Sequence, residues 1–312
     1  MIVETLEGLA AQLQSGKTTS RDLTEACLAR IEDEAGEGVR AFVSTDPEGA
    51  IATADFMDAR RSAGRALSPY AGIPISLKDL FDVAGEVTAA GSTILRSSEP
   101  VTTDATCVAR LRAAGFVFVG RTNMTEFAYS GVGINPHYGT PKSVWDRAQG
   151  RIPGGSSSGA AVSVADGMAF MGLGTDTGGS CRIPAAFNSI TGYKSSTGRV
   201  PRDGVFPLSD TLDTVGPLAN SVQCCSTIDA MMAGDRTGSL LARDPATLRF
   251  GILQHVAMDA MDPEVATAFD AAVKSLGEAG VVFSEVPFPD LTELPSLNAK
   301  GGVSAAEAMD VH

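Results

Sequence analysis

Between Pro153 and Pro201 the chain carries two glycine-framed serine turns, and this stretch limits the fold more than any other. The first is the triplet Ser156, Ser157 and Ser158, set among Gly154, Gly155 and Gly159; the second is Gly178, Gly179 and Ser180. Glycine admits positive φ and lets another group approach closely, so such turns suit a place where main-chain N–H groups point at a ligand. Ser158 to Gly167 alternates small and apolar residues like a tightly packed helix, Met168 to Thr175 reads as a buried strand, and Arg182 to Asn188 as a short helix. Each serine cluster therefore adjoins a helix start, where unpaired N–H groups and the helix dipole favour negative charge.

Upstream, residues 4–15 and 19–34 read as two amphipathic helices, the second opened by Thr19 with Asp22 at the capping-box position. The pair offers a surface for packing or for a homodimer. Val39 to Ser44 reads as a short strand, a helix runs from Pro47 to near Gly64, and GIPISLKDLFDV at 72–83 is an apolar strand interrupted by Lys78. A helix over 104–114, then Gly115 and the strand FVFVG, make an α/β crossover and predict a largely parallel or mixed sheet. Residues 121–146 are loop-rich and carry Asn123, Tyr129, Asn135 and His137. Polar connections with aromatics line pockets, whereas a lone His137 reads as a structural hydrogen-bonding residue. Residues 207–235 read as a loop and then a helix from about Ser221. A strand at 248–253, a helix at 262–280 with Asp262 as cap and Pro263 first, the strand VVFSEV and the opening of a last helix complete the chain.

A chain of 312 residues holds one large α/β domain or two ordinary ones. No apolar run approaches the roughly 18 residues of a membrane-spanning helix, and Glu4 and Glu7 stand where a secretory signal would be basic. The five cysteines, Cys27, Cys107, Cys181, Cys224 and Cys225, make neither a disulfide framework nor a CxxC metal site, which fits a reducing cytoplasm. A formal charge of −13 argues against direct nucleic-acid binding, which needs clustered Lys and Arg, and is consistent with solubility.

The chemistry admits several readings. Gly155 to Gly159 formally matches the G-x-S-x-G elbow, with Ser157 as nucleophile, but the preceding RAQGRIPGG is polar where an apolar strand is required, and only His255 and His312 follow. A P-loop would need Lys after its last glycine, and Ala160 stands there instead. Lys78 is either half of a Lys78–Asp79 surface turn or a desolvated lysine acting as a base. A neutral lysine can activate a serine hydroxyl, and a Gly-Gly turn can supply N–H donors to an oxyanion. Lys78 and Lys194 are both candidates for that base, and spacing does not choose between them.

The whole segment from Gly154 to Pro201 resembles the signature of the amidase signature family. The likeness extends to GIPISLKDLFDV, to GRTNMTEFAYSG and to SDTLDTVGPLANSV, in the family's order over most of residues 70–225. The resemblance implies an α/β fold with a large mixed, mostly parallel β-sheet surrounded by helices, and a Ser-cisSer-Lys triad. Carried over, Ser180 is the nucleophile, Lys78 the base, and Ser156 the relay in a cis peptide, 24 residues before Ser180. Thr177, Gly178 and Gly179, with Ser180, present the oxyanion-hole N–H groups. Ser158 hydrogen-bonds the relay. Asp176 and Arg182 brace the turn, with Arg182 also placed to meet an acidic substrate, and Tyr129 is a substrate-side residue. No cofactor or metal is implied, and the partner is a small-molecule amide, hydrolysed to an acid and ammonia or an amine.

Family members are longer. The resemblance therefore implies a single amidase domain over 1–312, with a helical segment to about residue 65, a catalytic core over about 66–235 and an incomplete C-terminal part over about 236–312. Two alternatives accompany it: the A subunit of a glutamine-dependent tRNA amidotransferase, which releases ammonia for its partner, and an inactive truncated fragment. GTPKSVWD after Tyr138 departs from the family's commoner asparagine-proline form and leans toward a stand-alone amidase.

Overall fold

The computed structural model describes residues 4–235, 242–254, 256 and 258–311; His255 and His312 lie outside the described residues. The chain divides into Met1–Ser239 with Glu307–His312, and Leu240–Ala306.

The first unit opens with α1 (Leu6–Ser15) and α2 (Ser20–Glu32). The capping box closes as expected: the Asp22 N–H donates to Thr19 Oγ1 and the Thr19 N–H to Asp22 Oδ2, each at 3.0 Å. The strand expected from Val39 is instead a helical turn, α3 (Gly38–Ala41), and only β1 (Phe42–Ser44) is extended. The chain reverses tightly here. A Cβ on Gly38 would lie 1.9 Å from the Ile31 carbonyl oxygen, and the Ala41 N–H donates to Glu37 O at 2.8 Å. There follow α4 (Pro47–Ser62), β2 (Pro74–Lys78), α5 (Thr106–Ala113), β3 (Val117–Thr122), α6 (Ser158–Ala165), β4 (Met171–Asp176), α7 (Arg182–Phe187), β5 (Thr191–Gly192), β6 (Thr214–Ala219) and α8 (Val222–Ala233).

Six strands form one sheet in the order β1-β3-β2-β4-β6-β5. The sheet is mixed, as expected, but parallel pairing is confined to β2 with β3 and β2 with β4; β1–β3, β4–β6 and β5–β6 are antiparallel, so this sheet is not mostly parallel. The antiparallel share comes largely from β6, which lies in a stretch expected to be loop. Gly216 and Pro217 hide it, because proline lacks the ladder N–H and is usually confined to edges or bulges. Here the Pro217 carbonyl still accepts from the Tyr193 N–H at 3.1 Å. Every residue of β2, β4 and β6 is buried. One apolar cluster joins α1, α5 and α8 to β2, β4 and β6, and another joins α2 and α6 to β1 and β3. Burying each large aliphatic side chain in such clusters contributes about 1.5–3 kcal/mol, which fixes β2 and β4 as the rigid centre.

The second unit contains β7 (Arg249–Leu253), α9 (Pro263–Glu278), β8 (Val282–Val286) and α10 (Leu294–Leu297); α11 (Gly302–Val311) begins in it and ends among residues counted with the first. β7 and β8 pair in parallel from Arg249↔Val282 to Leu253↔Val286. Pro263 opens α9 as expected, whereas Asp262 makes no side-chain cap bond.

Candidate active site

Lys78 is the last residue of β2, and its side chain is entirely buried. A buried ammonium must be paired or lose its proton. The surface-turn reading is therefore excluded: Asp79 is buried as well, and pairs with Arg121 at 3.5 Å rather than with Lys78. Lys78 Nζ lies 2.7 Å from Ser156 Oγ and 2.9 Å from Thr175 Oγ1. Burial draws its pKa down from the usual lysine range to about 8, against the opposing charges of Asp213 and Asp176. Lys194, the alternative base, is only half-buried on the stretch after β5.

Ser156 follows a cis peptide bond with Gly155 and is itself fully buried. Backbone bonds hold this turn on three sides. The Thr125 N–H donates to Ser156 O at 3.1 Å, the Gly155 N–H to Gly131 O at 2.7 Å, and the Ser157 N–H to Ser180 O at 3.2 Å. Gly155 is required by contact: a Cβ there would stand 2.6 Å from the Gly133 nitrogen. Ser157 is buried, its Oγ donating to Thr175 O at 3.4 Å, and the residues before it form no strand. A nucleophile elbow needs an exposed serine at a strand end, so that reading is excluded. Ser158, expected to bond the relay, instead donates to Asn123 O at 3.4 Å, because as the first residue of α6 it faces the end of β3.

The second turn leaves β4 and enters α7. Asp176, at the end of β4, is fully buried and accepts from the Gly179 N–H at 2.7 Å, the Cys181 N–H at 3.1 Å and the Arg182 N–H at 3.3 Å. Arg182 Nε and Nη2 each reach it at 3.0 Å. Burial alone would raise the Asp176 pKa; the guanidinium and the N–H donors outweigh it and hold the carboxyl below its usual range. Asp176 and Arg182 thus brace the turn, and two of Arg182's nitrogens are committed to doing so. One expectation changes: the Gly179 N–H is taken by Asp176. Among the described residues, the N–H groups of Thr177, Gly178 and Ser180 have no protein acceptor.

Exposure sets Ser180 apart from the other two groups. Ser180 is 7% exposed, while Ser156 and Lys78 are 0%. Tyr129 is exposed on the segment that Thr125 ties to Ser156. His137 sits 3.1 Å from Glu126, which also accepts from Ser92 Oγ at 2.7 Å, a structural arrangement. Two contacts have no signal in spacing. Thr175 reads as an ordinary strand residue yet holds Lys78, and Asp213 sits in an expected loop yet accepts the Thr177 hydroxyl. A cavity of about 560 Å³ lined by Leu77, Asp79, Phe116 and Arg121 contains none of Lys78, Ser156 and Ser180, so the chemistry does not lie there.

The amidase family model matches residues 22–311. The chain is 40% identical over 293 residues to AtzE, a 1-carboxybiuret hydrolase subunit of Pseudomonas sp. (strain ADP), covering 90% of this chain and 63% of that protein. It is also 40% identical over 321 residues to the A subunit of glutamyl-tRNA(Gln) amidotransferase from Ralstonia nicotianae, covering 94% and 63%. The structure of native peptide amidase from Stenotrophomonas maltophilia superposes with a TM-score of 0.82 at 32% identity, covering 98% of this chain and 67% of that one. This chain thus spans less than two thirds of the length of these curated relatives. It belongs to the amidase signature family.

Proposed function

We propose that the chain hydrolyses a carboxylic amide through an acyl-enzyme on Ser180, with Ser156 as proton relay and Lys78 as base. The observation that carries this reading is the fully buried Lys78–Ser156 contact at 2.7 Å, beside the turn of Ser180, which is 7% exposed and whose carbonyl accepts from the Ser157 N–H at 3.2 Å. Of the three groups, Ser180 is the one an amide carbonyl meets first.

In the ammonium form Lys78 donates to Ser156; once neutral, it offers its lone pair to the Ser156 O–H. Ser156 then takes the Ser180 proton as Ser180 Oγ bonds the carbonyl carbon. The C=O π pair moves to oxygen, and that oxyanion is met by the free N–H groups of Gly178 and Ser180 and by that of Thr177. Collapse breaks the C–N bond, the relay returns a proton to the leaving nitrogen, and water repeats the sequence to release the acid. The same three groups serve any C–N leaving group that fits. A panel of small amides including glutamine, with release of ammonia or amine measured, tests the reading: turnover that is lost in Ser180→Ala supports it, and unchanged turnover in that variant rejects it.

A further inference from the structure

We propose that Asp213 is a positioning residue for this reaction: its carboxylate locks the turn that carries Ser180 and brings an uncompensated negative charge to the start of β6, the strand beside the one whose Thr175 holds Lys78. The proposal rests on the Ser180 reading above. Asp213 immediately precedes β6 and is 6% exposed. Its Oδ1 accepts the Thr177 hydroxyl, and its Oδ2 accepts the Leu208 N–H at 2.8 Å and the Ser209 N–H at 3.0 Å. Its neighbour Thr214 pairs with Asp176 in the ladder and donates Oγ1 to Asp176 O at 2.8 Å. The first residue of the turn is therefore held through its hydroxyl, and the residue before it through its carbonyl, the one by Asp213 and the other by β6. The loop that presents Asp213 is fastened in turn, because Glu307 accepts from Ser209 Oγ and, at 2.8 Å, from Thr211 Oγ1. A buried carboxylate with three donors leaves all three unsatisfied when removed.

The charges around the base separate Asp213 from its neighbours. Lys78 bonds Thr175, which pairs in the β4–β6 ladder with Val215, two residues from Asp213, and Cys181, Asp213 and Asp176 are the acidic groups whose charge bears on it. Burial pushes the Cys181 thiol far up, so it stays neutral. Asp176 is matched by Arg182. Among the described residues Asp213 has only neutral donors, so its field on Lys78 is not cancelled. Asp213 thereby favours the ammonium form and, against the larger effect of burial, raises the pH at which the base becomes free.

The rate of Ser180 labelling by a fluorophosphonate, followed by mass spectrometry against pH on the whole chain, tests this without knowledge of the substrate. Asp213→Asn keeps an acceptor for the loop and a polar group for Thr177 but removes the charge. Its high-pH rate should stay within about tenfold of the parent, while its acid limb moves about half a pH unit lower. Asp213→Ala loses the lock as well and should label about 100-fold more slowly, the scale of one lost oxyanion donor. Thr177→Val should slow labelling about tenfold without moving the limb, which supplies the readout if the alanine variant does not fold. An unshifted limb in Asp213→Asn, or parental rates in both other variants, overturns the proposal while leaving Ser180 as nucleophile. An unlabelled parent chain, or labelling that survives in Ser180→Ala, removes the Ser180 reading and this proposal with it.

Discussion

The two serine turns look alike in sequence and are held by opposite means. The Gly155–Ser158 turn is fixed by neutral backbone contacts, namely the Thr125 N–H on Ser156 and the Gly155 N–H on Gly131, with no space for a Cβ at Gly155. The turn around Ser180 is fixed by buried carboxylates: Asp176 takes three N–H groups and a guanidinium, and Asp213 takes the Thr177 hydroxyl. The difference matches the tasks proposed for them. The relay's own turn adds no charge to those that already act on Lys78 from Asp176 and Asp213. A turn that receives an oxyanion must keep selected N–H groups free, and while Asp176 takes the intervening Gly179 N–H, those of Gly178 and Ser180 have no protein acceptor among the described residues.

Removing the nucleophile or the base gives the largest effect. Ser180→Ala and Lys78→Met should each reduce kcat by about 10⁴-fold or more, since residues acting as one unit fail together. Lys78→Met should nonetheless fold, because burial of the lysine is a cost to the parent. With a folded pKa of about 8 against an ordinary value of 10.5, the folded state binds fewer protons than the unfolded state between those values, so parental stability rises with pH there. Thermal melts from pH 7 to 10 should show that rise in the parent and not in Lys78→Met.

Removing the charge that organises the second turn comes next. Asp176→Asn should cost about 10²-fold in kcat and about 2 kcal/mol of stability, because the amide cannot accept from every N–H donor and Arg182 loses its counter-charge. Filling the close approach in the first turn with Gly155→Ala should act mainly on folding, by about 1–3 kcal/mol in chemical denaturation. Ser158→Ala is the smallest change. Its 3.4 Å bond to Asn123 O lies outside the relay, and activity should stay within about threefold, with a stability loss under about 1 kcal/mol.

Local signals are legible wherever a few neighbouring residues decide the outcome. Thr19 and Asp22 announce their cap, and the glycines around the serines announce two tight turns. What stays hidden depends on contacts distant in sequence. Nothing near Lys78 or Lys194 distinguishes them until the sheet buries one and leaves the other at its margin. Gly216 and Pro217 mask β6, and with it Asp213, whose role exists only because β6 lies beside β4. The oxyanion donors are partly legible: a Gly-Gly-Ser turn shows that N–H groups are available, but not that Asp176 takes the one on Gly179.

Activation of Ser180 by a neutral Lys78 through Ser156 can be read from the pH dependence of Ser180 labelling in parent and Ser156→Ala chains. The parental labelling rate should climb through a midpoint near pH 8 and level off above it, and replacement of Ser156 should leave a slow rate without that step. A parental rate that is flat from about pH 6 to 10, or a Ser156→Ala variant that keeps the full step, would contradict it.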